Sequence, residues 1–181
     1  MSTLSHTRES RIFLRPAEPG DCGLIARLIL ELATYERQPE DCHATPDALC
    51  EMLFERRPPA AECILAEVGG DAEAGGDLVG FALFFPSFST WECAPGIWLE
   101  DIFVRPEHRG KGAGKALFER VAELAVERGA ARLEWSVLDW NQPAIDFYMA
   151  MGAQAMDGWT THRLSGEALR AMAAAMTPGA R

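Results

Sequence analysis

The stretch GIWLEDIFV-RPEHRGKGAGK-ALFERVAELAVER, Gly96–Arg128, reads as a strand, a basic glycine-rich arch and a long helix in immediate succession. The strand, Gly96–Val104, is apolar except for Glu100 and Asp101, two adjacent carboxylates that break the alternation. In the helix, Gly112–Arg128, Ala116, Leu117, Val121, Leu124 and Ala125 share one face, opposite Glu119, Arg120, Glu123, Glu127 and Arg128, and Gly129 ends it. Between them Gly110, Gly112 and Gly114 let a ligand approach the backbone closely. Free N–H groups and the dipole of a helix N-terminus attract anions, and Arg105, Arg109, Lys111 and Lys115 add positive charge to an otherwise acidic chain. The arch therefore reads as a cradle for a phosphate-bearing ligand; the plain alternative is a glycine turn that only starts a helix.

Two other glycine loops do not fit. A Walker loop needs Gly at position 109 and Ser or Thr at 116, where the chain has Arg109 and Ala116. A dinucleotide fingerprint needs Gly at 115, where Lys115 stands, and a strand that opens a βαβ unit.

Outward from this stretch, Arg11–Arg15 reads as a strand ended by Pro16, and Asp21 as the cap of a helix that carries Leu24, Ile25, Leu28, Ile29 and Leu32 to about Tyr35-Glu36. Thr45-Pro46-Asp47 opens a second short helix bearing Leu49, Leu53 and Phe54. Cys63–Val68 and Leu78–Phe85 are β-prone runs joined by the glycine-rich loop Gly69–Asp77, read as mobile. Downstream come a strand at Arg132–Leu138, Asn141 as the cap of a helix Gln142–Met151, a last strand Trp159–Leu164 and a terminal helix Gly166–Met176 capped by Ser165. The order predicts a mixed α/β (α+β) fold, six to seven strands with four to five helices, as one domain over 11–176 between a poorly ordered N-terminus, 1–10, and a tail, 177–181.

A net charge of −10 argues against nucleic-acid partners, which need a basic face, and gives weak support to a cationic ligand. No run approaches the roughly 18 apolar residues of a spanning helix, and Met1–Ser10 lacks a signal peptide, so no membrane partner and a cytoplasmic location are expected. Five cysteines without a CxxC pair suit a reducing compartment better than a disulfide framework or a zinc site, and most read as core fillers. Four scattered histidines without HExxH predict no metal.

The run Arg109-Gly110-Lys111-Gly112-Ala113-Gly114 resembles the R/Q-x-x-G-x-G/A signature of the GNAT N-acetyltransferase superfamily. Tyr35-Glu36, Trp98-Leu99-Glu100-Asp101, Val137–Asn141 and Phe147-Tyr148 followed by Gly152-Ala153 narrow the similarity, over about Ile12–Met172, to its diamine acetyltransferase branch, which includes spermidine/spermine and thialysine acetyltransferases. The chain departs from that pattern at Glu92–Gly96 and at Gly158-Trp159. The resemblance implies a GNAT fold, acetyl-coenzyme A as co-substrate, a small-molecule amine as acceptor and a homodimer. It also implies that the backbone of Arg109, Gly110, Lys111, Gly112, Ala113, Gly114 and Lys115 binds the coenzyme pyrophosphate. By the same resemblance Ile102, Phe103 and Val104 hold the pantetheine arm, and Asn141 contacts the coenzyme.

Acetyl transfer from a thioester requires an unprotonated amine, a stabilised oxyanion and a proton for the departing thiolate. The resemblance assigns Tyr148 as general acid, Glu100 as the carboxylate that attracts the ammonium and accepts its proton, and Tyr35 and Glu36 as further substrate contacts. On residue chemistry alone Tyr148 could equally be a core aromatic beside Phe147. Strand alternation puts Glu100 and Asp101 on opposite faces, and the resemblance, which makes Glu100 the substrate-side group, leaves Asp101 a structural role. Three functions compete: direct acetylation of a polyamine, diamine or lysine analogue such as thialysine; a non-catalytic acyl-coenzyme A-binding module, which has no need of a phenol at Tyr148; and a protein-lysine or N-terminal acetyltransferase.

Overall fold

A computed structural model describes residues 11–69 and 76–175. The expected poorly ordered N-terminus, the tail and most of the Gly69–Asp77 loop lie outside the described residues.

The chain groups into two compact units that divide between Ser136 and Val137. The first holds the sheet, in the order β1 (Ile12–Pro16), β2 (Glu62–Val68), β3 (Asp77–Ser89), β4 (Ala94–Val104) and β5 (Leu133–Glu134). Neighbours are antiparallel up to β4, and β5 runs parallel to β4. Helices α1 (Cys22–Tyr35) and α2 (Pro46–Cys50) precede β2, and α3 (Ala113–Glu127) follows β4.

One sheet face packs Cys63, Leu65, Phe81 and Phe103 against Ile25 and Leu28 of α1 and Leu53 beyond α2, all buried. Burying Ile25 and Leu28 fully contributes roughly 1.5–3 kcal/mol each. Strand alternation turns Ile64, Ala82 and Phe84 to the other face, where α3 lies against the strands with Leu117 and Val121 wholly buried. Helix α3 ends as expected, with Gly129 in the left-handed region at φ 66°.

Three expectations change. The sheet has five strands among the described residues, because Trp159–Leu164 has no ladder partner there, and a β-prone run becomes a strand only when its N–H and C=O groups are paired. Cys22 and Cys50 form a disulfide joining the start of α1 to the end of α2, with Cα atoms 5.8 Å apart, so these two cysteines are not mere core fillers. Cys63 does fill the core, and burial pushes its thiol up to about 12. Asp21 occupies the N-cap position of α1 but makes no capping bond there. Its carboxylate instead accepts from Arg15 Nη1 at 2.6 Å and Nη2 at 2.9 Å, and Arg15 Nε donates to Glu67 at 2.7 Å. The charged hydrogen bonds from Arg15, with a further one from the Glu18 N–H at 2.8 Å, hold the Asp21 carboxyl below its usual range by stabilising its ionised form. Thr45 does cap α2, its Oγ1 accepting from the Ala48 N–H at 3.3 Å.

The second unit carries α4 (Gln142–Ala150) and α5 (Gly166–Ala174). Among the described residues, no helix is long and apolar enough to cross a membrane.

Candidate active site

Strand β4 leads into the glycine arch. After Val104 a single 3₁₀ turn, Pro106–His108, swings the chain round, and Gly110 (φ 72°) and Gly112 (φ 93°) take left-handed conformations that a side chain would strain. Gly112 caps α3, whose first intrahelical bond is Ala116 N–H to the Gly112 carbonyl at 2.9 Å. The N–H groups of Ala113, Gly114 and Lys115 precede that bond and point out of the helix end. Gly114 is helical, and a Cβ there would meet only Val104 Cγ2 at 3.7 Å, an ordinary contact. Packing within the chain does not demand glycine at 114. The arch thus has the open, donor-lined form that a pyrophosphate fits.

The basic side chains at the arch each have partners within the chain. Arg105 donates through Nε at 2.8 Å and Nη2 at 2.7 Å to the Glu31 carboxylate of α1, and through Nη1 to the Leu78 carbonyl at 2.9 Å. Lys115 pairs with Glu119, and Lys111 donates to the Glu107 carbonyl at 2.8 Å. Arg109 donates through Nε to the Val104 carbonyl at 2.9 Å and lays its guanidinium over the Tyr35 ring, 4.4 Å from the centroid.

The carboxylates of β4 are arranged by a bulge. Leu99 pairs with Phe84 and Asp101 with Leu83, so Glu100 is an extra residue opposite none. Leu99 follows Phe84 to the α3 face, whereas Asp101 follows Leu83 to the α1 face, where Phe103 also lies. Glu100 Oε2 accepts from Trp98 Nε1 at 2.9 Å, and Trp98 pairs with Phe85, which shares the parity of Leu83. Both carboxylates therefore turn to the α1 side, which corrects the expectation that they oppose each other; the sole signal for a bulge was the broken alternation at these residues.

Their electrostatics differ. Glu100 is exposed, but burial, with the charges of Glu100 and Glu36 behind it, pushes Asp101 up to about 7. Glu36, just beyond α1, is itself raised by desolvation. Tyr35 is half-buried against the α1-face core. Tyr35, Glu36, Glu100 and Asp101 thus bring an aromatic face and three carboxylates to the α1 side of the strand that leads into the arch. Sequence reasoning set Asp101 aside as structural. Ile102 is half-buried while Phe103 and Val104 are buried, and the Val104 carbonyl accepts from Arg109.

In the second unit Asn141 precedes α4. Its carbonyl accepts from the Ala144 and Ile145 N–H groups at 3.0 and 3.1 Å, but its side chain makes no capping bond, contrary to the expected cap. Tyr148 is buried at 8% exposure, its ring edge-on to Phe147 with centroids 5.3 Å apart. Among the described residues, no group of three His, Cys, Asp or Glu side chains is placed to hold a metal ion.

Residues 26–153 match the Acetyltransferase (GNAT) family. The chain belongs to that family. It is an acetyl-coenzyme A-dependent acetyltransferase with the family's mixed α/β fold. It is similar to the thialysine N-epsilon-acetyltransferase of Bos taurus, 41% identical over 90% of this chain and 97% of the relative. The L-ornithine N5-acetyltransferase of Arabidopsis thaliana is 35% identical over 94% of this chain and 91% of its own length. Among solved structures, an integron cassette protein from V. cholerae superposes with a TM-score of 0.70 at 22% identity, over 90% and 97% of the two chains, which speaks to fold alone.

Proposed function

We propose that this acetyltransferase transfers the acetyl group to the primary amine of a small molecule, a diamine, polyamine or lysine analogue, within a ternary complex. The observation that carries the proposal is the β4 bulge, which collects Glu100 and Asp101 on the α1 side together with Glu36, a negative site beside the strand that leads to the arch. A protonated amine is attracted there, and relatives named for thialysine and ornithine, both amino acids with a side-chain amine, agree with that class.

On this reading the backbone of 109–115 binds the pyrophosphate and that of Ile102, Phe103 and Val104 the pantetheine arm, with Asn141 as a further coenzyme contact. Tyr35, Glu36 and Glu100 receive the amine. Glu100 accepts the ammonium proton, directly or through water, and the freed lone pair attacks the thioester carbonyl. A C–N bond forms, the adduct nitrogen gives up its second proton to water, the C–S bond breaks, and Tyr148 passes its phenolic proton to the leaving sulfur and is reprotonated from solvent. The products are an amide and a free thiol. Residues 11–176 work as one catalytic domain, in a cytoplasmic homodimer.

Initial rates measured while both substrates vary, with ornithine or thialysine as acceptor, are expected to give intersecting double-reciprocal lines. Parallel lines point to an acetyl-enzyme and contradict direct transfer.

A further inference from the structure

Arg109 is the first residue of the glycine signature, and its charge alone marks it as a phosphate ligand. Its observed bonds lead elsewhere. The Nε–H is held by the Val104 carbonyl at 2.9 Å, the guanidinium lies 4.4 Å from the Tyr35 centroid, and the Phe103 ring is 5.7 Å away. Tyr35 is the last residue of α1, packed against the core that includes Phe103, and the Glu36 N–H still donates to the Leu32 carbonyl at 2.9 Å. The position of Tyr35 therefore sets that of Glu36, whose charge reaches Asp101.

We propose that Arg109 is a positioning residue for the amine acceptor, its guanidinium stacked on the Tyr35 ring so that the end of α1 is clamped to the coenzyme loop. The proposal rests on the acceptor reading above and adds to it a link between donor and acceptor sites. One side chain spans them: its backbone belongs to the arch and its planar head to the acceptor wall. Lysine cannot replace it, because an ammonium keeps the charge but lacks the flat face and the Nε–H fixed beside it. Phosphate attraction by charge survives Arg109→Lys, whereas the clamp does not.

The test is the split between amine KM and coenzyme affinity. With Arg109→Lys, the amine KM rises roughly five-fold, the factor equivalent to ~1 kcal/mol of cation–π attraction, while the coenzyme Kd by calorimetry stays within about two-fold of wild type. Tyr35→Leu raises the amine KM similarly, the double variant raises it no further than the larger single effect, and Tyr35→Phe, which keeps the ring, raises it less than Tyr35→Leu. A raised or lost coenzyme affinity in Arg109→Lys with an unchanged amine KM makes Arg109 a phosphate ligand and overturns the proposal, as do additive effects in the double variant. A wild-type chain that acetylates no amine refutes the acceptor reading instead. Hydrogen exchange then decides on the clamp: the amides of Leu32–Glu36 exchange faster in Arg109→Lys if it exists, and unchanged exchange overturns it.

Discussion

Replacing Tyr148 by Phe lowers kcat for acetyl transfer by about 10²- to 10³-fold and leaves the coenzyme Kd within about two-fold, measured by steady-state kinetics and calorimetry. The side chain is buried and its ring packs edge-on to Phe147, so removing one hydroxyl preserves the packing. What is lost is the proton for the departing thiolate, a poor leaving group while the attacking nitrogen still competes for the same carbon. If the tyrosine is only a core aromatic, kcat of the Phe variant stays within about two-fold of wild type.

Replacing Asp101 by Asn makes the protein more stable than wild type at about pH 8 but not at about pH 4, by urea unfolding at the two values. Folding raises the Asp101 carboxyl from its ordinary value to about 7, since burial and the nearby charges of Glu100 and Glu36 disfavour its ionised form. The folded state then holds a proton that the unfolded state has released. Stability from this group is intact below about pH 4, falls as pH rises, and is fully lost above about pH 7. A shift from 3.8 to about 7 corresponds to a loss on the order of 4 kcal/mol at most, and the amide, which never ionises, escapes it. A variant less stable than wild type at both pH values shows that the carboxylate is instead held by donors. A bound ammonium lowers this pKa again, so an amine acceptor stabilises wild type more at about pH 8 than at about pH 6.

The legible parts of this protein were those set by neighbours in the chain. The arch and α3 were readable because glycine spacing, basic residues and a 3.6-residue apolar period all lie within Gly96–Arg128. Thr45 capped α2 as read, since a cap reaches only three residues. The misreadings came from long-range partners. Asp21 looks like a cap until Arg15 and Glu67 meet beside it, and Cys22 and Cys50, 28 residues apart, carry no local sign of pairing. Glu100 and Asp101 appear opposed under strict alternation, and only the register against Leu83 and Phe84 reveals the bulge that gathers them. Nothing local announces Tyr35, 74 positions earlier, as a neighbour of Arg109.

The most direct test of the account is amine-dependent release of free thiol from acetyl-coenzyme A by the purified protein, with each amine of a panel spanning thialysine, ornithine, lysine, diamines and polyamines, and the products weighed by mass spectrometry. The predicted result is thiol and N-acetylated amine formed in equal amounts with at least one small primary amine. Tight coenzyme binding with no amine acetylated by any member of the panel contradicts the account and leaves a protein that holds the donor without using it.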